Sequence, residues 1–446
     1  MTRPAIDTVY ILGAGFSKAA FEEMPLADEL GRAVAARMGR RPGHDPDQEA
    51  FWDGVRSRGL EAYLSDLAER YPHQSEERWY WSQQLLARSL PLIADEIIEI
   101  QRRCASQSVV AWWLKPLLDL MNHSGSGIVT FNYDTMVEAH WPWAWDMPDE
   151  RLGAYPSEAG SPQQANHATP WKVPTSADVA LFKLHGSVNW LASPLDQHGL
   201  TLRQDAADLR LPHHLSDEGF RASGALEPVI VPPTNSKSVA LQRSFMAALW
   251  KQALQRLRRA SRVVLIGYSL PETDRAAAAL LRDGRTPTSG GLVVVDRDAD
   301  QVAQRILRLG IDNHEVRTFS GARAVSEFVK AELLHTAAGA VLDPSLVKEL
   351  MGSNLFVCIE SPDLRGGVLA LNLDGQIVAQ STSLGRTLYA EIAKLGPQPN
   401  SWEIRLADNT SRVLPVLDVR VTRTDRGSLS TLTLICGRAI DQKVLR

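Results

Sequence analysis

Six short apolar runs constrain this chain more than any other feature. They span residues 9–12, 128–131, 180–184, 228–231, 263–266 and 292–295. All are rich in β-branched residues, and several close on Gly, Asn or Asp. Helical patterns separate many of them, notably at 60–70, 79–103 and 245–260. Short unbroken apolar strands alternating with helices predict an α/β fold with a doubly wound, mostly parallel, Rossmann-like sheet covered on both faces. In such folds ligands bind beyond the carboxyl ends of the strands. The long, polar, turn-rich stretches 145–177 and 192–225 are expected as insertions at that edge.

The pattern changes near residue 335. All eleven histidines lie at or before His335, and of twelve tryptophans only Trp402 lies beyond residue 250. After this point the signals are those of short antiparallel strands. Residues 369–373 and 377–379 flank Asp374-Gly375, a strong hairpin turn. Residues 384–395 read as a short helix, and 402–406, 414–422 and 429–436 as further strands. The expectation is a domain over 1–337 and a smaller C-terminal α+β domain over 338–446. The order of the tail suggests a sensor domain of the PAS kind, and equally an oligomerisation or partner-docking module.

Composition narrows the function classes. A net charge of −4 excludes an overall basic nucleic-acid binder. A 44% hydrophobic and 22% charged chain is ordinary for a globular protein and excludes wholesale disorder. Cys104, Cys358 and Cys436 lie far apart with no CxxC, which excludes a zinc ribbon and a disulfide framework. His213-His214 has no partner at metal spacing, so no metal is expected. No apolar run approaches the ~20 residues of a membrane span, and residues 1–9 lack an apolar signal core. A cytoplasmic protein with no membrane association is expected.

Four motifs stand at predicted strand ends. Gly13-Ala14-Gly15-Phe16-Ser17-Lys18 closes the first strand and opens a helix. Glycine leaves room for a ligand oxygen, and free N–H groups at a helix start attract an anion. Ser17 adds a hydroxyl donor. Lys18 stands where GxGxxG has its third glycine, and a tight turn without ligand fits the same residues. Thr130-Phe131-Asn132-Tyr133-Asp134 can turn Asn132 and Asp134 toward a cleft, or cap the next helix. In Lys183-Leu184-His185-Gly186, the histidine is free to face a ligand and suits proton transfer near neutrality. A buried, hydrogen-bonded histidine fits as well. Gly267-Tyr268-Ser269-Leu270-Pro271 offers backbone and hydroxyl donors, or is a plain loop with Thr273 or Asp274 as N-cap. Asp296 could hold a ribose hydroxyl or be a solvated turn residue. Trp141, Trp143 and Trp145 either wall a site or pack a loop, and the basic stretch 251–262 reads as the solvated face of a helix.

In joint order, Gly-Ala-Gly-x-Ser, T-x-N-x-D, His-Gly and Gly-x-Ser resemble the sirtuin family. More closely the chain is similar to the sirtuin-like NAD-hydrolysing domains of bacterial anti-phage defence proteins. The resemblance runs from Val9 to about Asp296, and 60–67, 232–237 and 265–274 share it. It implies that Gly13, Ala14, Gly15, Phe16 and Ser17 bind the pyrophosphate of NAD. T-Q-N-I-D of sirtuins is T-F-N-Y-D here, so Asn132 matches the asparagine beside the nicotinamide ribose. Asp134 matches the aspartate that holds the carboxamide, and His185 the catalytic histidine. Gly267 and Ser269 match the turn that contacts the adenosine half. Asp296 stands near the place of an asparagine on the adenine ribose.

Two departures bear on the reaction. The four-cysteine zinc module of the deacylases is missing, since no cysteine lies between Cys104 and Cys358. No GIPDFR-like stretch follows the glycine turn; Glu23-Met24-Pro25-Leu26 stands there. Both point to water as the acceptor. The resemblance therefore implies a regulated NAD glycohydrolase of abortive-infection defence, releasing nicotinamide and ADP-ribose. It also implies a homo-oligomer and an operon-encoded partner protein or phage trigger. The rival readings are a protein deacylase or ADP-ribosyltransferase, and a non-catalytic sensor of NAD or ADP-ribose.

Overall fold

The structure is a computed structural model. It describes residues 8–38, 46–106, 110–141, 180–192, 202–204, 227–231, 244–284, 291–311, 316–339, 356–361, 369–373, 376–381, 388–392, 403–406, 412–423, 429–438 and 440–441. The chain divides into two compact units. The first holds Met1–Ala111, Ser124–His140 and Trp145–Val325; the second holds Trp112–His123, Trp141–Ala144 and Ser326–Arg446.

The described strands of the first unit are β1 (Thr8–Leu12), β2 (Gly127–Thr130), β3 (Ala180–Lys183), β4 (Gly186–Ala192), β5 (Leu202–Gln204), β6 (Glu227–Ile230), β7 (Arg262–Ile266), β8 (Leu292–Asp296) and β9 (Val316–Ser320). Six of them form one parallel sheet in the order β3-β2-β1-β7-β8-β9. From β1 the chain builds outward to β2 and β3, then returns to the other side of β1 for the rest. This is the doubly wound Rossmann-like order, and its switch point lies between β1 and β7. Right-handed crossovers in opposite directions set the connecting helices on opposite faces. Covered on both sides, β1 is buried along its whole length, which is why it reads as a continuous apolar run. The expected α/β architecture is present.

Two strands depart from expectation. The run 228–231 is not part of the parallel sheet. Its strand, β6, pairs antiparallel with β4 in a separate three-stranded sheet that also contains β5. Gly186, at φ +82°, opens β4 directly after β3, and β6 packs against it with the Val229 carbonyl at the glycine. Apolar content alone does not tell a parallel strand from an antiparallel one. Strand β5 also falls inside the stretch 192–225, where turn is the expectation. The sixth parallel strand is β9, an edge strand of mixed polarity with partly exposed residues, and it carries no apolar signal.

Between β1 and β2 the chain inserts a helical layer. Helices Ala27–Met38, Pro46–Arg58, Leu60–Ala68 and Glu76–Ser106 surround a core that includes Val34, Phe51, Leu64, Leu85 and Ile93. Val188 of β4 and Ile230 of β6 belong to the same core. The small sheet is thus held against the helical layer, which fixes the turn after β3.

The second unit contains helix Leu114–His123, most of helix Ala324–Gly339, and strands β10 (Phe356–Glu360), β11 (Leu369–Leu373), β12 (Gln376–Ser381), β13 (Leu388–Ile392), β14 (Glu403–Leu406), β15 (Arg412–Arg423), β16 (Leu429–Cys436) and β17 (Ile440–Asp441). Their order is β14-β13-β12-β11-β10-β16-β15-β17, and an additional pairing of β14 with β15 closes the sheet on itself. The expected hairpin is present, with Leu373 paired to Gln376. The helix expected over 384–395 is not: β13 lies there, paired antiparallel with β12 and β14. Leu384, Leu388, Ile392 and Leu395 repeat at helical spacing, but Leu388, Ala390 and Ile392 alternate as a strand does. Pairing on both edges decides between the two patterns. Among the described residues from 356 onward every element is a strand; the helices of this unit come from earlier in the chain. Among the described residues, no helix is long and apolar enough to cross a membrane.

Candidate functional site

The glycine turn and the loop after β7 meet at the switch point. The Gly13 N–H donates to the Ile266 carbonyl at 3.1 Å, and the Gly15 N–H to the Gly267 carbonyl at 2.9 Å. A Cβ on Gly13 would stand 2.5 Å from the Gly267 oxygen, and one on Gly267 would stand 2.1 Å from the Phe16 nitrogen. These glycines are therefore needed so that two backbones can touch. This corrects the expectation of free N–H groups at the turn. Those of Gly13 and Gly15 bond to the β7 side, and that of Phe16 to the Gly13 carbonyl at 2.9 Å. Ala14 is the exposed residue of the turn, while Phe16 and Ser17 are buried.

The segment after β2 is bonded to that turn. Asn132 Nδ2 donates to the Gly13 carbonyl at 2.9 Å and to Ser17 Oγ at 3.0 Å. The Ser17 hydroxyl donates in turn to Asp134 Oδ2 at 2.7 Å. Asp134 Oδ1 accepts the Met136 N–H at 3.1 Å, opening the short helix Met136–His140, so its turn-forming role is present as well. Gly13, Ser17, Asn132 and Asp134 thus form one hydrogen-bonded cluster, with the three polar side chains buried. Burial pushes the Asp134 carboxyl above its ordinary range, against the pull of Lys183 and the two donors. The Lys183 ammonium, fully buried, donates to Glu138 Oε1 at 2.8 Å and to the Asp134 carbonyl.

His185 stands in the sharp turn between β3 and β4. A Cβ on Gly186 would lie 2.0 Å from the Val229 carbonyl oxygen, so β6 passes too close for any other residue. The His185 carbonyl accepts the Val231 N–H at 2.8 Å. Its ring centroid lies 5.0 Å from that of Phe131 and 6.2 Å from that of Tyr133. Phe131 stacks on Tyr268 at 4.5 Å with 22° between planes. Sequence reasoning takes Asp274 only as an N-cap. It does cap, accepting the Ala277 N–H on Oδ1 at 3.2 Å, but its Oδ2 also lies 3.2 Å from His185 Nε2. The capping signal is visible in the sequence; the partner is not.

The remaining expected residues lie outside these clusters. Ser269 is exposed, and its carbonyl accepts Arg305 at 2.7 Å. Asp296 ends β8, half-buried, and its Oδ1 accepts the Asp298 N–H at 3.0 Å, the bond of a turn residue. Trp141 is buried. Trp143, Trp145, His213, His214 and residues 232–237 lie outside the described residues. In the basic helix Ser244–Arg259, Arg256 donates to the Gly125 carbonyl. Among the described residues no group of three or more His, Cys, Asp or Glu could hold a metal ion.

No protein-family profile and no curated protein matches the chain. Solved structures of Sir2 enzymes do. One, from work on the mechanism and regulation of Sir2 enzymes, is 10% identical, with 73% of this chain and 91% of the other covered and a TM-score of 0.33. A sirtuin studied for substrate affinity is 14% identical, with 73% and 92% covered and a TM-score of 0.32. A Sir2 in complex with a p53 peptide and NAD is 13% identical, with 73% and 92% covered and a TM-score of 0.32. The strand order β3-β2-β1-β7-β8-β9 makes the sheet doubly wound independently of these likenesses.

Proposed function

We propose that the first unit is an NAD glycohydrolase of the sirtuin-like kind, with Asn132 and His185 as its catalytic residues. The observation that carries this reading is the cluster at the carboxyl ends of β1 and β2, beside the switch point. Asn132 is bonded at once to the glycine turn and to Ser17, which holds Asp134. His185 lies one strand away, behind Phe131. A doubly wound sheet binds nucleotides at this edge.

In the reaction, water attacks C1′ of the nicotinamide ribose. The C–N bond breaks with its electron pair going to the pyridinium nitrogen, so nicotinamide leaves neutral. The oxygen of the water remains on ADP-ribose, and one proton is released. Asn132 orients the ribose hydroxyls and the water, and His185 receives the proton. Gly13, Ala14, Gly15, Phe16 and Ser17 line the pyrophosphate, Asp134 holds the carboxamide, and Gly267, Ser269 and Asp296 face the adenosine half. Positioning and electrostatics supply most of the acceleration. We further propose a cytoplasmic homo-oligomeric effector of anti-phage defence. A regulatory domain over 338–446 would answer to a phage trigger or an operon-encoded partner.

The test is chromatography of NAD incubated with the purified protein, with Asn132→Ala and His185→Ala beside it. Stoichiometric release of nicotinamide and ADP-ribose is expected from the wild type. Each variant should lose at least about 10²-fold in rate while keeping its fold. An unchanged rate in either variant rejects its assigned role. NAD binding without turnover under every trigger tried rejects the hydrolase in favour of a sensor.

A further inference from the structure

We propose that Asp274 is the positioning residue of His185, holding the imidazole with its proton on Nε2 so that Nδ1 is the atom that accepts a proton during turnover. The inference rests on the hydrolase reading above and deepens it. Its basis is geometric. Asp274 Oδ2 lies 3.2 Å from His185 Nε2, with the two side chains 1% and 4% exposed. A carboxylate of this kind only accepts, so the imidazole nitrogen facing it carries hydrogen. In the neutral ring the lone pair then sits on the other nitrogen, Nδ1.

The carboxylate is itself held in place. Oδ1 accepts the Ala277 N–H at the start of helix Arg275–Gly284, and Oδ2 accepts the Tyr268 hydroxyl at 2.8 Å. Burial, with Asp274 beside it, pushes the Tyr268 phenol well above its ordinary value, so it stays a donor. The Tyr268 ring is fixed by its stack on Phe131, which also touches the imidazole. Asp274 cannot turn away from His185 without giving up the helix cap and the phenol bond. The loop between Tyr268 and Asp274 contains Leu270, buried and at φ +51°, a conformation that surrounding contacts must impose.

The segment after β2 and the loop after β7 both bring groups to His185. From the first come the rings of Phe131 and Tyr133, the latter a phenol that burial keeps neutral; from the second comes Asp274, with Tyr268 bonded to it. The Glu61 carboxylate acts on both phenols from the helical layer. Asp274 is thus the charge placed to stabilise the imidazolium that forms when the proton of the attacking water reaches Nδ1. The proton then leaves to solvent.

The experiment uses the full chain and Asp274→Asn, which keeps the size of the side chain and its ability to cap a helix. The first readout is the ring ¹⁵N signal of labelled His185, assigned by its loss in His185→Gln. The wild type should show hydrogen on Nε2 and none on Nδ1 in the neutral ring. In Asp274→Asn that preference should vanish and the titration should move to lower pH. The second readout is NAD hydrolysis. The kcat of Asp274→Asn should fall about 10²–10⁴-fold with KM for NAD within about threefold, and the acid limb of its pH profile should move down. Tyr268→Phe keeps the stacked ring and removes one donor from Asp274, so the His185 titration should move up. Hydrogen found on Nδ1, a ring signal that Asp274→Asn leaves unchanged, or a loss confined to KM overturns the proposal. A wild type that releases no nicotinamide under every trigger tried defeats the hydrolase reading instead, and the ring signals still decide the role of Asp274.

Discussion

Gly267 has φ +60°, and a Cβ there would collide with the backbone of the glycine turn. Gly310 has φ +75° with nothing within 4 Å of the same added atom. The pair separates two costs that are usually mixed. Gly310→Ala should lose only the conformational part, about 1–2 kcal/mol. Gly267→Ala should lose that plus the cost of pushing apart two strands' turns, and so clearly more. Urea unfolding of both variants reads the difference directly. Equal losses would mean that the contact between the two turns carries no stability. The glycines are visible in the sequence as a turn that either admits a ligand or is merely tight, and the structure uses them for backbone contact. That contact joins residues far apart in the chain, so local reading has no access to it. Asp274 follows the same logic. Its helix cap is a local event and is legible, whereas its bond to His185 depends on the order of the strands.

Among elements, the pair of Lys183 and Glu138 ties the end of β3 to the helix Met136–His140. The two side chains are 0% and 2% exposed. A buried pair of this kind adds little over an apolar replacement, but breaking one half leaves a buried charge. Lys183→Met should therefore cost about 3–5 kcal/mol, and the double variant Lys183→Met/Glu138→Leu should recover most of it. Denaturant midpoints of the three chains give the answer; a double variant no better than the single would show that the packing cannot accept apolar groups. The same scale explains which strands can be read in advance. β1, β2, β7 and β8 are buried in the parallel sheet and therefore continuous in apolar residues. β9, at the edge, mixes Val316 and Phe319 with Arg317, Thr318 and Ser320, and no periodicity marks it. For β6 the strand is legible and its sheet is not, because its pairing with β4 joins distant stretches of the chain. For β13 two periodicities coexist in the same residues, and pairing partners on both edges choose the strand.

At the scale of the molecule, the second unit is assembled from separate stretches of chain. Helix Leu114–His123 belongs to it although it precedes β2 in sequence. Asp119 on that helix accepts the Arg438 backbone N–H at 2.8 Å and the guanidinium at 2.8 and 2.9 Å, with its side chain 2% exposed. A buried carboxylate that accepts so many bonds from one arginine depends on that arginine's fixed fork of donors. Arg438→Ala should lower stability by about 3–5 kcal/mol, because the Asp119 charge stays buried while its cation is gone. Arg438→Lys should recover part of this, since an ammonium restores the charge without the two-point geometry. Ending the chain at residue 337 removes Arg438 altogether, so a truncated protein should melt earlier and be cut faster by protease near residues 112–123. This bears on how the proposed control by the tail is tested. If truncation abolishes NAD turnover, the loss is ambiguous between regulation and folding; Arg438→Ala, which keeps the tail, separates them. A variant that melts with the full chain would show that Asp119 relaxes without its partner.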